Sequence, residues 1–139
     1  MNRSYIGGDW VEGKSVLKNL NPSDINDCVG EFECIDQSQT NEAIQVASDA
    51  TTDWQEIGIH RRAEILDSIG SKILERKDEL GTLLSREEGK TLPEGLGEVE
   101  RAGHIFKFFA GEAVRISGSS MDSVRYGVDV EISREPLGL

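Results

Sequence analysis

Cysteine and positive charge are scarce in this chain, and long apolar runs are missing. The two cysteines, Cys28 and Cys34, are too few for a disulfide framework. With only two histidines, His60 and His104, too far apart in sequence for a helical metal pair, no zinc site of the usual ligands is expected. Basic residues number 15 against 26 acidic, a formal net charge of -11. An acidic surface repels phosphate backbones and anionic lipid, so nucleic acid and membrane are not expected partners. No apolar run approaches the roughly 18 residues of a membrane span. Met1 to Gly8 carries no apolar secretory segment. A cytoplasmic location is the resulting expectation, and the Asn2-Arg3-Ser4 sequon has no meaning without secretion.

What is present suits one domain of 139 residues, 37% apolar, with a patterned core. Tyr5-Ile6 and Trp10-Val11 flank Gly7-Gly8-Asp9, a hairpin signal. Ser15 to Leu20 reads as a strand stopped by Asn21-Pro22-Ser23-Asp24, and Val29 to Ile35 as a third strand with Gly30, Phe32 and Cys34 on one face. The period then becomes helical. Ser38 or Thr40 suits the cap of a helix with Ala43, Ile44, Ala47 and Ala50 on one stripe, and Trp54 is expected to anchor it in the core. A second helix begins near His60, with Ala63, Leu66, Ile69, Ile73 and Leu74 inward. Leu80, Leu83 and Leu84 follow a bend near residues 76–78, and Gly89 is the stop. Thr91-Leu92-Pro93-Glu94 is a capping box that opens a helix with Val99, Ala102, Phe106, Phe109 and Ala113 on its stripe. Ile105, Phe108 and Val114 widen that stripe. Gly118-Ser119-Ser120 is expected to break the pattern. Val124 to Ile132 then alternates strictly and reads as one long strand for which nothing later supplies a partner.

The chemical motifs are thin. Gly89-Lys90-Thr91 resembles the end of a phosphate loop, but position 84 is Leu where that loop needs Gly. No Gly-x-Gly-x-x-Gly follows a strand, so the dinucleotide fingerprint is missing. Glu87, Glu88, Glu94, Glu98 and Glu100 invite an acid/base reading, yet they cluster around a helix N-terminus, whose dipole favours negative charge on structural grounds. Cys28 and Cys34 have Asp27, Glu31, Glu33 and Asp36 as neighbours, which disfavours a thiolate, so both are expected as buried or half-buried structural thiols. His60, beside Arg61-Arg62, is expected at a solvated helix start, and His104 as a packed or edge residue.

The order of segments resembles the aldehyde dehydrogenase superfamily. Residues 5–11 followed by Asn21-Pro22-Ser23 are similar to its opening hairpins. Arg61 to Leu66, Leu80, Glu87-Glu88-Gly89-Lys90 with Glu94 and Glu98-Val99, Phe108-Phe109-Ala110-Gly111, and Ser133-Arg134-Glu135-Pro136-Leu137-Gly138 continue the likeness in order. Residues 86 to 95 look most like the branch that oxidises 2-oxoglutarate semialdehyde. The resemblance implies an α+β part of an α/β dehydrogenase fold: N-terminal strands, three or four helices and a long C-terminal strand. By the same resemblance, residues 1–123 belong to the N-terminal part of the nucleotide-binding domain and 124–139 start the oligomerisation arm.

The family oxidises an aldehyde with NAD or NADP through a cysteine nucleophile. The nucleophile, the general-base Glu, the oxyanion-hole Asn and the cofactor-binding Lys lie beyond the motif at residues 134–138, and neither Cys28 nor Cys34 matches the nucleophile. No catalytic, cofactor-binding or metal-ligating residue is therefore assigned within this chain. The resemblance also implies a monovalent-cation site near the counterparts of Asn19 and Glu98, but its other ligands lie further along and no cation is expected here. NAD or NADP and the aldehyde are partners of the full-length family, and none is expected to bind this chain alone. A homo-oligomer is the expected assembly. The other reading is a truncated, non-catalytic interaction module.

Overall fold

The computed structural model describes residues 2–138. Its elements run β1 (Ser4–Ile6), β2 (Asp9–Val11), β3 (Ser15–Asn21), β4 (Asp24–Cys34), α1 (Gln37–Glu56), α2 (Ile59–Glu75), α3 (Lys77–Glu88), α4 (Leu92–Ala113), β5 (Ser119–Asp122) and β6 (Asp129–Ile132). The strands form three separate antiparallel ribbons, β1–β2, β3–β4 and β5–β6. This is the expected α+β layout of N-terminal strands, three or four helices and a C-terminal strand, with four helices formed.

The packed centre is the seam of α4 against α2 and α3. Its closeness comes from glycine pairs: a Cβ on Gly103 would lie 2.6 Å from Leu74 Cγ, and one on Gly70 only 2.8 Å from the Gly103 carbonyl oxygen. Gly81 and Gly95 repeat the arrangement between α3 and α4, where a Cβ on Gly95 would lie 2.5 Å from the Gly81 carbonyl oxygen. Val99, Ala110 and Ala113 are buried in this seam. Ala63, Leu66, Ile73, Leu74, Leu80, Leu84 and Phe106 are half-buried around it. Lys107 spans α4 to α2 by donating to Asp67 (2.9 Å) and Ser71 (2.9 Å), and Lys77 joins α3 to Glu100 of α4 (3.0 Å).

Helix ends follow local chemistry. Gly89 adopts φ 73° and closes α3 as expected, a left-handed geometry that glycine takes without steric cost. Glu94 accepts from the Thr91 N–H (3.0 Å) and hydroxyl (2.7 Å), closing the box at the start of α4. The cap of α1 differs from the expectation: it is Asp36, neither Ser38 nor Thr40. Asp36 is extended and accepts from the Gln39 N–H at 2.9 Å, and the Gln39 amide oxygen accepts from the Asp36 N–H at 3.1 Å. The Thr40 hydroxyl is spent on the Asp36 carbonyl.

Four further expectations are corrected. The helix α1 has no buried residue and Trp54 is 43% exposed, so Trp54 does not anchor a core. On α4 the inward line is Gly95, Val99, Gly103, Ala110 and Ala113, while Phe108 and Phe109 face outward; close helix approach selects the small residues. The second strand of the main hairpin starts at Asp24, not Val29, because a two-residue turn at Pro22-Ser23 lets Asn21 pair directly with Asp24. In that strand the buried side chain is Glu33, not Phe32 or Cys34. Its carboxylate accepts from the Gly13 N–H (2.8 Å) and from Arg3 (3.5 Å).

The C-terminal alternation is also shorter than it reads. The helical pattern is broken before Gly118 as expected, but residues 119–122 form β5 and supply the partner of β6, from Ser119↔Ile132 to Asp122↔Asp129. Val124 to Val128 turn the chain: the Ser123 N–H donates to Val128 O, the Val128 N–H to Arg125 O, and Gly127 takes φ 76°. Pairing within the ribbon satisfies the amides that a lone strand would leave open.

Candidate functional site: a polar clasp and an open helix groove

Two places gather side chains from distant segments. The first lies where the turn end of β3–β4 meets the end of α3. Arg86 makes a two-pronged ion pair with Asp27, Nε to Oδ2 at 2.9 Å and Nη2 to Oδ1 at 2.6 Å, and reaches the Cys28 carbonyl at 3.4 Å. Asn21 Nδ2 donates to Asp27 at 3.2 Å, Asn19 Nδ2 donates to Glu87 at 2.9 Å, and the Ser23 hydroxyl donates to the Gly89 carbonyl at 2.7 Å. The Arg86 guanidinium, aided by Asn21, pulls the Asp27 carboxyl down to about 2. Arg86 is raised in turn, chiefly by its bonds to Asp27.

The acidic set beside this clasp is spent on structure. Glu88 and Glu98 both take Lys90, whose pKa they raise. Glu94 is held below the usual carboxylate range by Thr91, and Glu100 by Lys77. Glu94 and Glu100 are thereby pushed toward their ionised forms, so neither is tuned as a proton donor near neutrality. Asn19 and Glu98, near which the resemblance implied a cation site, bond to different partners, Glu87 and Lys90. His60 and His104 are both exposed, the first at the solvated start of α2 as expected, the second on an edge. Cys34 is half-buried as expected. Cys28 is exposed, where a buried or half-buried thiol was expected.

The second place is a groove of about 460 Å³ between the end of α1, α2 and the end of α4. Trp54, Leu66, Phe108, Phe109 and Ile116 give it apolar walls, and Arg62 and Arg134 lie at its rim. Arg62 is engaged with the last carbonyls of α1, Trp54 O at 3.3 Å and Gln55 O at 2.8 Å. The aromatic walls were legible as apolar residues, but their exposure was not. The Asp27–Arg86 pair spans 59 positions and left no local signal in the sequence.

Neither place fits a dinucleotide. Among the described residues every sheet is an antiparallel ribbon, so no strand–helix–strand crossover offers the carboxyl edge where a pyrophosphate is cradled. Among the described residues no cluster of His, Cys, Asp and Glu is arranged to hold a metal, and no helix is long and apolar enough to cross a membrane.

Comparison with known proteins gives this layout a context. Residues 10–139 match the model of the aldehyde dehydrogenase family. The chain is 32% identical to the alpha-ketoglutaric semialdehyde dehydrogenase of Bacillus subtilis (strain 168), covering 98% of this chain and 28% of that protein. It is 31% identical to the malonate-semialdehyde dehydrogenase of Listeria innocua serovar 6a, covering 99% and 28%. The fold superposes on the NADP-dependent glyceraldehyde-3-phosphate dehydrogenase of Bacillus halodurans C-125, complexed with NADP. That match has a TM-score of 0.89 and 29% identity, covering 99% of this chain and 30% of that one. The chain thus spans about 28% of the length of the curated relatives it matches.

Proposed function

Since the chain belongs to the aldehyde dehydrogenase family, we propose that it forms the N-terminal part of an NAD- or NADP-dependent enzyme that oxidises an aldehyde to a carboxylic acid. The observation that carries this reading is the family match over residues 10–139, with helices and ribbons superposing throughout on such an enzyme. The substrate we propose is a short aldehyde that bears a carboxylate, 2-oxoglutarate semialdehyde first. The names of two relatives support it, as does the string Arg86 to Gly95. Residues 1–123 then serve the nucleotide-binding domain and 124–139 begin the arm through which subunits pair, in a cytoplasmic homo-oligomer.

In this reading the 139 residues contribute support and no chemistry. Among the described residues there is no nucleophile in an electropositive setting and no dinucleotide cradle, so the cofactor would be held by residues further along the family's chain. Aldehyde and NAD⁺ or NADP⁺ added to the purified 139-residue chain are expected to yield no reduced nicotinamide. A polypeptide that continues past Leu139 into Pro-Trp-Asn and a later Gly-Gln-x-Cys motif is expected to turn the semialdehyde over. Turnover by the 139 residues alone would overthrow the first statement, and a continuous chain inert toward every carboxylated aldehyde would overthrow the second.

The other reading, a non-catalytic interaction module, draws on the open groove walled by Phe108 and Phe109. A natural stop codon after codon 139, together with a stable complex with another protein, would favour it.

A further inference from the structure

We propose that the β3–β4 hairpin is a detachable strap, held to the end of α3 by the Asp27–Arg86 clasp and able to open while α2, α3 and α4 stay packed. The inference concerns contacts within these 139 residues and does not depend on the enzymatic reading.

The two kinds of contact in the molecule differ in character. The helix seam is closed by backbone approach at Gly70, Gly81, Gly95 and Gly103, which leaves no room to slide apart gradually. The hairpin meets α3 almost wholly through polar groups: Arg86 with Asp27 and the Cys28 carbonyl, Asn19 with Glu87, and Ser23 with the Gly89 carbonyl. Its apolar side chains add little adhesion, since Val16, Leu17, Leu20 and Ile25 are 45–74% exposed. Contacts between part-exposed charges weaken in salt, whereas a close-packed apolar seam does not.

The charged groups around the clasp leave it no second cation. Lys18 is paired with Glu31 inside the hairpin, and Lys90 with Glu88 and Glu98 on the helix side. Among the described residues Arg86 is therefore the cation that bridges strap and frame, with Asn19 and Ser23 adding hydrogen bonds from neutral groups. The base of the hairpin is tied separately, by Asn2 to the backbone of Glu31 and Glu33, by the Lys14 N–H to the Cys34 carbonyl, and by the Gly13 N–H to the Glu33 carboxylate. The strap is thus fastened at both ends, with its pivot at the base and its catch at the turn. Opening frees the Gly89 carbonyl and uncovers the acidic corner between α3 and α4.

An isolated two-stranded hairpin is marginal in water, so once the catch releases, the ladder amides lose protection. Amide hydrogen exchange on the full chain at neutral pH reads this directly. Asp27→Asn removes the charge-assisted pair and is expected to speed exchange in β3 and β4 about tenfold or more, with α2 and α4 amides unchanged. In the unsubstituted chain, about 1 M sodium chloride is expected to have the same selective effect, because screening at that strength reaches contact distances. The salt comparison decides the matter if the variant does not fold. Strand and helix amides exchanging at one common rate under both conditions would overturn the proposal, as would hairpin protection indifferent to both salt and Asp27→Asn.

Discussion

Asp27 shows how one side chain links distant segments. Its carboxyl falls from 3.8 to about 2 because Arg86, and next Asn21, hydrogen-bond the ionised form. A folded-state pKa below the unfolded value means that the unfolded chain binds the proton first on acidification. The stabilisation is therefore complete above about pH 3.8, fades as pH falls and is gone below about 2. Melting temperatures of the chain and its Asp27→Asn variant, followed across that range, are expected to differ at neutral pH and to converge as pH approaches 2. A gap that stays constant down to pH 2 would show that Arg86 does not favour the charged form. Glu33 is the contrasting residue: its carboxylate is buried on the face opposite Phe32 and Cys34, because the Gly13 N–H and Arg3 offer it partners there.

Among elements, the decisive feature is the glycine seam of α4. Gly103 sits where a methyl group would meet Leu74 Cγ at 2.6 Å, whereas Gly97, on the same helix, has nothing within 4 Å. Gly103→Ala must push α2 and α4 apart and is expected to cost about 1–3 kcal/mol, read as a lower denaturant midpoint. Gly97→Ala meets only space and relieves the entropic cost of a helical glycine, so it is expected to add about 0.5–1 kcal/mol. Equal effects at the two positions would mean that helix propensity, not packing, governs both. The ribbon β5–β6 illustrates the opposite situation. With every residue exposed, its register rests on the turn at residues 123–128 and not on burial. The strict alternation of residues 124–132 therefore overstates the strand.

At the scale of the molecule, surface area is the informative quantity. The accessible surface is 10465 Å² for 15.3 kDa. A compact monomer of that mass exposes roughly 7,100 Å². The excess is several times the roughly 800 Å² per partner of an ordinary interface. So large an uncovered area suits a layer of a bigger body better than a free-standing module with one docking patch. It includes Phe108, Phe109, Ile105, Trp54 and Ile116, all more than 40% exposed. The 139-residue chain in isolation is expected to self-associate, with an elution volume and melting temperature that depend on concentration in size-exclusion chromatography with light scattering and in thermal scans. A monodisperse monomer whose melting temperature ignores concentration would contradict this.

Local chemistry in the sequence was enough to determine the hairpin at Gly7-Gly8, the helix stop at Gly89, the Thr91–Glu94 box, the break near Arg76 and the order of segments that marks the family. Each of these depends on residues within a few positions of one another, where backbone geometry and side-chain type decide the outcome. Only the tertiary structure decided that Asp27 faces Arg86, that α4 turns glycine and alanine inward and leaves Phe108 and Phe109 out, that Trp54 lies on the surface, and that Ser119 to Asp122 pairs with β6. Those outcomes depend on which distant segment comes within a few ångströms. Periodicity measures a residue's preference for burial but carries no information about the neighbour that would have to bury it.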